Sequence, residues 1–95
     1  MPQSPNHLSP AQLARQGRRR MSLGQTIAAL RLERGLTQQQ LADAVLISKR
    51  GVIRIEGGQT SMTVDVLCRF ADALGVRPSR LLALAERREA GPDPE

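Results

Sequence analysis

The chain has 95 residues, with 14 lysines and arginines against 9 aspartates and glutamates, so its net charge is +5 and its length fits one domain. It has no Trp, no Tyr and one Phe, which excludes the aromatic platforms on which single-stranded nucleic acids stack; one Cys and one His exclude a disulfide framework and a cysteine-based zinc site. Without a disulfide framework we expect a protein of the reducing cytoplasm, with no metal or cofactor. No apolar run approaches the roughly 20 residues of a membrane span, so we expect no membrane association.

The termini differ from the rest of the chain in charge and composition. Residues 1–20 carry four arginines and no acid, and the first ten hold three of the six prolines. Such a segment buries too little apolar area to offset its ordering entropy. We therefore predict a flexible basic arm over 1–20, in which Ser9 caps a short helix that weakens at Gly17, one domain over 21–88, and a disordered tail over 89–95.

The first helix of the domain is indicated by apolar residues at helical spacing. Leu23, Ile27 and Leu30 share one face, as expected of a helix that buries one side. Gly35 follows, and glycine commonly ends helices because it adopts a left-handed backbone without strain.

Four more helices each have a start signal, and no segment alternates as a strand does. Thr37 with Gln40 forms the pattern of a capping box, and the next three starts are Ser48, Thr63 and Pro78. Glycines end the third helix at Gly57-Gly58 and the fourth at Gly75. On the fourth helix the predicted apolar face consists of Val64, Leu67, Cys68, Ala71 and Leu74. The sequence thus predicts an all-α fold of five short helices.

The stretch from Thr37 to Glu56 has the layout of a helix-turn-helix, with two capped helices, a short link and the small Ala42 where they approach each other. Further signature pieces follow the same order along the chain: Leu30-Arg31, Gly35-Leu36-Thr37-Gln38, Leu41-Ala42, Ser48, Val52, Arg54-Ile55-Glu56, Gly58, Leu67, Ala71, Leu74-Gly75-Val76 and Leu81-Leu82. Over about 60 residues the chain resembles the phage Cro and repressor type of helix-turn-helix, also called the XRE type. The resemblance implies a five-helix, lambda-repressor-like DNA-binding domain.

The resemblance also implies that the helix over about Ser48–Glu56 enters the DNA major groove. Its outward residues Lys49, Arg50 and Arg54 are the predicted base contacts, because Lys and Arg suit the O6 and N7 acceptors of guanine. A solvated basic face, or contact with phosphates only, is the alternative. The predicted phosphate contacts are Gln38, Ser48, Gln59 and Thr60.

Other residues receive structural or open roles. The resemblance assigns a partly buried ion pair to Arg31 and Glu56. A basic arm either follows the DNA or stays solvated, and its residues are Arg15, Arg18, Arg19 and Arg20. Three leucines on the last helix either contact a dimer partner or complete the monomer core, and these are Leu81, Leu82 and Leu84.

Three positions depart from the family pattern. Leu46 stands where the family usually has Gly; a left-handed backbone there costs a leucine about 1–2 kcal/mol, so another turn geometry is open. Gly51 lies within the third helix, where Gly costs roughly 1 kcal/mol relative to Ala; it either allows close approach to DNA or is simply tolerated. Ile53 is expected to be exposed, where it meets either a thymine methyl group or another protein.

These features together predict a sequence-specific regulator of transcription that binds double-stranded DNA, a repressor acting as a homodimer on a palindromic operator. No set of nucleophile, base and orienting group can be assembled, so we expect no enzyme. The alternative is an antitoxin or other protein-interaction module on the same fold, with a toxin or coregulator as partner. A restriction–modification controller protein would share the DNA mechanism and serve other genes.

Overall fold

The computed structural model describes residues 7–91 and folds them into five α-helices without a strand. The helices are α1 (Pro10–Glu33), α2 (Gln38–Val45), α3 (Lys49–Glu56), α4 (Val64–Leu74) and α5 (Pro78–Ala90). The predicted all-α architecture is confirmed, as are the N-caps at Thr37, Ser48 and Thr63, whose side chains each accept a backbone N–H three residues on. None of these five helices is long and apolar enough to cross a membrane.

Helix α1 is longer than predicted. Ser9 caps it in a capping box, where Ser9 Oγ accepts from the Gln12 N–H at 3.1 Å and Gln12 Oε1 accepts from the Ser9 N–H at 2.8 Å. The predicted helix start at Ser9 is confirmed. The helix then continues through Gly17 to Glu33, so the predicted weakening at Gly17 and a flexible arm over residues 17–20 are wrong. One Gly costs a helix about 1 kcal/mol, and the arginines that follow are good helix formers. Residues 1–6 of that arm lie outside the described residues.

At the C-terminus, helix α5 extends two residues into the segment 89–95 that was predicted to be a disordered tail. Residues 89 and 90 belong to α5, and residues 92–95 of the predicted tail lie outside the described residues.

The core is shared by all five helices. Its completely buried members are Ile27, Leu41, Ala42, Val45, Val52, Phe70, Ala71, Leu74 and Leu81. On α4 the predicted face needs correction, because Phe70 is fully buried whereas Val64 is 73% exposed. Val64 is the first residue of α4, and helical side chains point toward the N-terminus, so it projects past the end of the packed face. Cys68 is only partly buried.

Four helices end in the same way: a residue with left-handed backbone angles follows the helix, and a backbone hydrogen bond closes the last turn. The left-handed residues Gly35, Leu46, Gly58 and Gly75 have φ between 65° and 72°. The N–H of the next residue then bonds the carbonyl five residues back, as from Leu36 to Arg31 and from Gln59 to Arg54, which is the Schellman pattern. These turns fix where each following helix starts.

Helix α1 lies directly on the C-terminal end of α3. A Cβ on Gly24 would lie 2.6 Å from the Glu56 carbonyl oxygen and closer still to that of Ile55. One on Gly58 would lie 2.7 Å from Met21 Cα, and Arg20 Nε donates to the Gly58 carbonyl at 3.4 Å. No local sequence pattern marks Gly24, yet only Gly allows the backbones of α1 and α3 this approach.

We predict that Gly24→Ala lowers the free energy of unfolding by about 1–3 kcal/mol or more, because the added methyl group forces α1 off rigid backbone atoms of α3. Gly17→Ala is the matched control. Its Cβ would meet only the end of the Arg20 side chain at 3.7 Å, so it should stabilise by about 0.5–1 kcal/mol. Urea unfolding of both variants measures this, and equal effects would contradict the proposed contact.

Candidate nucleic-acid interface

Helix α3 has a buried apolar side and an exposed basic side. Val52 is 0% exposed and Ile55 is 6% exposed, whereas Lys49, Arg50 and Arg54 are all exposed. Arg50 and Arg54 are one turn apart, so their side chains are neighbours on the helix surface. Among the described residues, no carboxylate forms a salt bridge with these three. Their charge is therefore available to an external anion.

The start of α3 is fixed by Ser48 and Gly51. Ser48 Oγ accepts the Gly51 N–H at 3.0 Å, which leaves the hydroxyl hydrogen free to donate outward. A Cβ on Gly51 would lie 3.3 Å from Ser48 Oγ and 3.4 Å from Ile47 Cδ1. A side chain at position 51 would therefore require Ser48 Oγ or the end of the Ile47 side chain to shift by a few tenths of an ångström.

The turn between α2 and α3 keeps the left-handed geometry although it has no glycine. Leu46 has φ 65° and ψ 42°, and the next N–H, that of Ile47, bonds the Ala42 carbonyl at 3.1 Å. The alternative turn geometry that the sequence left open for Leu46 is therefore not adopted. Val45 is completely buried while Leu46 is 75% exposed, so burial on α2 and the backbone bond hold Leu46 in this conformation.

A carboxylate at the end of α3 joins the first three helices. Arg31 Nε and Glu56 Oε2 are 2.7 Å apart, with side-chain exposures of 12% and 7%, which is the ion pair expected from the resemblance. Arg31 also donates to the Leu36 carbonyl at 2.9 Å, and Gln38 Nε2 donates to Glu56 Oε1 at 3.0 Å. Glu56 therefore ties α1 and the start of α2 to α3.

Apart from Ser48 at the start of α3, the residues predicted to contact phosphate lie at the start of α2 and in the loop after α3. Gln38 has its side-chain amide turned inward onto Glu56, but the first N–H groups of α2 have no helical carbonyl to bond and can meet an anion. Gln59 is exposed and Thr60 is half-buried in the loop after α3. Thr60 Oγ1 donates to the Ser61 carbonyl at 3.4 Å, a long bond that an external acceptor can replace.

The structure brings some of the predicted arm next to this loop. The side chains of Arg18, Arg19 and Arg20 line a groove of about 790 Å³, together with the segment 60–64 and the α5 residues Glu86 and Glu89. Arg15 does not line it. All four arginines thus belong to α1, and three of them lie beside the loop that follows α3.

The three candidate dimer residues have different environments. Leu81 is completely buried, so of the two alternatives expected for this residue the structure has the second, completion of the monomer core. Leu82 is 43% exposed, and Leu84 is partly buried against the core.

The helix-turn-helix domain family matches residues 22–89 of the chain. Two similar curated proteins are the competence pilus inhibition repressor of Acinetobacter baylyi, 33% identical over 69 residues, and the immunity repressor protein of Bacillus phage phi105, 37% identical over 62 residues. The matches cover 73% and 65% of this chain. They span 63% and 43% of those relatives, which is less than two thirds of each.

A similar solved structure is that of the restriction-modification controller protein C.AhdI from Aeromonas hydrophila. It is 29% identical to this chain, with a TM-score of 0.64, and the match covers 65% of this chain and 94% of that one. The similarity extends over most of the helical domain.

We predict that Leu46→Gly raises the free energy of unfolding by up to about 1 kcal/mol. The substitution removes the left-handed strain of about 1–2 kcal/mol. The extra backbone entropy that glycine loses on folding offsets only part of this gain. Leu82→Gly makes the same change inside the regular helix α5 and should destabilise by about 1 kcal/mol or more. Thermal or urea unfolding tests the opposite signs, and a destabilised Leu46→Gly would contradict the strain.

We predict that Glu56→Gln destabilises the fold by about 3 kcal/mol, since it leaves the buried Arg31 guanidinium without its counter-ion. Glu33→Gln is the control, because that carboxylate is 69% exposed and 3.5 Å from Arg34; exposed pairs contribute about 0–1 kcal/mol. Equal unfolding free energies for the two variants would show that Glu56 does not hold the helices together.

Proposed function

The chain belongs to the helix-turn-helix domain family, of the Cro and repressor type, and on that premise we propose that it is a transcriptional regulator that binds a specific sequence of double-stranded DNA. The observation that carries this proposal is the face of α3 formed by Lys49, Arg50 and Arg54. These cations are exposed and project from a short helix whose other side is locked into the core, which suits insertion into the major groove.

The contacts divide by chemistry. Arg50, Arg54 and Lys49 read base edges, with guanine the preferred base because its two acceptors fit an arginine fork. The start of α2, Ser48, and the loop residues Gln59 and Thr60 bind phosphates, and these contacts supply position rather than sequence choice.

The basic arm acts in this proposal as a helix. Arg20 is bonded to the Gly58 carbonyl, and Arg18 and Arg19 project beside the loop at 60–61. If that loop follows the DNA backbone, these two arginines add phosphate contacts beyond those of α3. Arg15, which lies nearer the N-terminus of α1, contributes only its charge.

A homodimer on a palindromic operator completes the proposal. One recognition helix reads a short half-site, and related dimers bind two half-sites about 34–36 Å apart. Leu82, exposed on α5, and its neighbour Leu84 remain the candidate dimer contacts. A cytoplasmic location is part of this proposal, and no enzyme activity is proposed.

Repression is the favoured outcome because both curated relatives are named repressors. Control of restriction–modification genes is the second candidate, favoured by the similarity to C.AhdI. The two candidates share the same contacts with DNA and differ in the genes served.

We predict that selection from a random duplex pool yields a defined operator with two related half-sites. On that operator Arg50→Ala and Arg54→Ala should each weaken binding by about 1–3 kcal/mol, and on scrambled DNA they should weaken it by less. Arg80→Ala, an exposed arginine at the start of α5, is the matched control and should change neither by more than a few tenths of a kcal/mol.

Equal losses on operator and scrambled DNA would show that these arginines bind phosphate and do not read bases. Affinity should also fall steeply with salt, because each neutralised phosphate releases counterions. A pool without enrichment, or a flat salt response, would overturn the proposed function.

A further inference from the structure

The exposed face of α3 contains one apolar side chain among its cations. Ile53 is 44% exposed and lies three residues after Arg50 and next to Arg54. It is absent from the core and from the partly buried residues that pack on it, although its neighbours Val52 and Ile55 are both core members.

The fold gains little from isoleucine at this position. A β-branched side chain loses rotamer freedom in a helix, and its helix propensity is a few tenths of a kcal/mol below that of Ala. By helical spacing its surface neighbours are Lys49, Arg50, Glu56 and Gly57. Glu56 is paired with Arg31, and none of the four offers a large apolar group to pack against. Val64 and Leu82, exposed apolar residues elsewhere, differ because they share a groove with other apolar side chains.

The chemistry of this face selects the ligand. Lys49 and Arg50 flank Ile53 on the helix surface, Arg54 follows it on the same exposed side, and Glu56 is already paired with Arg31. The partner is therefore anionic, yet Ile53 itself can neither donate nor accept a hydrogen bond. In the major groove of DNA the one apolar feature on a base edge is the 5-methyl group of thymine. An apolar side chain beside these arginines therefore matches a thymine beside guanines.

We propose that Ile53 is a specificity-determining residue that contacts the 5-methyl group of a thymine adjacent to the bases read by Arg50 and Arg54. This inference rests on the proposed function and adds a preference for thymine at one position of each half-site. The same methyl group occurs on 5-methylcytosine, so the chemistry recognised is a 5-methylpyrimidine.

The test uses the full chain and the operator from the random pool. Each thymine of one half-site is replaced in turn by deoxyuridine, which removes the methyl group and keeps the base pair. At one position the affinity should fall about fourfold, the effect of exposing one buried methyl group. Ile53→Ala should bind the thymine and uracil duplexes equally, whereas the control Val64→Ala, an exposed β-branched residue off α3, should keep the fourfold difference.

A second arm separates the two sources of the methyl group. The thymine at the sensitive position is replaced by cytosine. Methylation of that cytosine should then raise the affinity of the native chain by a similar factor and should not change the affinity of Ile53→Ala. A higher affinity for 5-methylcytosine than for cytosine would support recognition of the methyl group. Equal affinities for the two bases would overturn it.

The outcomes separate the inference from the function beneath it. An operator at which every uracil substitution is silent overturns the role of Ile53 and leaves the regulator proposal standing. Retained discrimination in Ile53→Ala also overturns it, because another residue then contacts the methyl group; this includes the case in which Ile53 serves a protein partner. A pool with no enriched sequence overturns both. The uracil scan needs only the native chain, so the outcome does not depend on a variant folding.

Discussion

The close approach of α1 to the C-terminal end of α3, made possible by Gly24, is the constraint on which the rest of this structure depends. The carbonyls of Ile55 and Glu56 lie where a side chain at position 24 would be, and Gly58 meets the backbone of Met21 one turn earlier on α1. Contacts between backbones cannot relax by a change of rotamer. The end of α3 is thus fixed by rigid atoms, and this sets the direction in which its exposed face points.

The electrostatics of the domain follow from the same contact. With α3 seated on α1, its only acid, Glu56, is turned inward to Arg31 and Gln38. The basic residues Lys49, Arg50 and Arg54 are left on the opposite side, without a salt bridge among the described residues. A net charge of +5 therefore matters less than the placement of three cations on one short helix.

The sequence was informative where the signal is local. Caps such as Thr37 and Ser48, and the end at Gly75, depend on residues within one turn, so their patterns predicted the helices of the structure. Gly24 was missed because its partners are more than 30 residues away in sequence, and a glycine within a helical apolar face was the only signal available. At Leu46 the local rule against left-handed leucine was outweighed by burial on α2 and a backbone bond. The continuous α1 shows the same limit, because one glycine is a weak helix breaker.

The central claim is that the fixed orientation of α3 delivers its basic face to duplex DNA. Titration of the ¹⁵N-labelled chain with a short duplex of its selected operator, followed by amide chemical shifts, tests this most directly. The account predicts the largest changes at the start of α2, along α3 from Ser48 to Arg54, and at Gln59 and Thr60. Changes concentrated on α5, with the α3 amides unmoved, would contradict it.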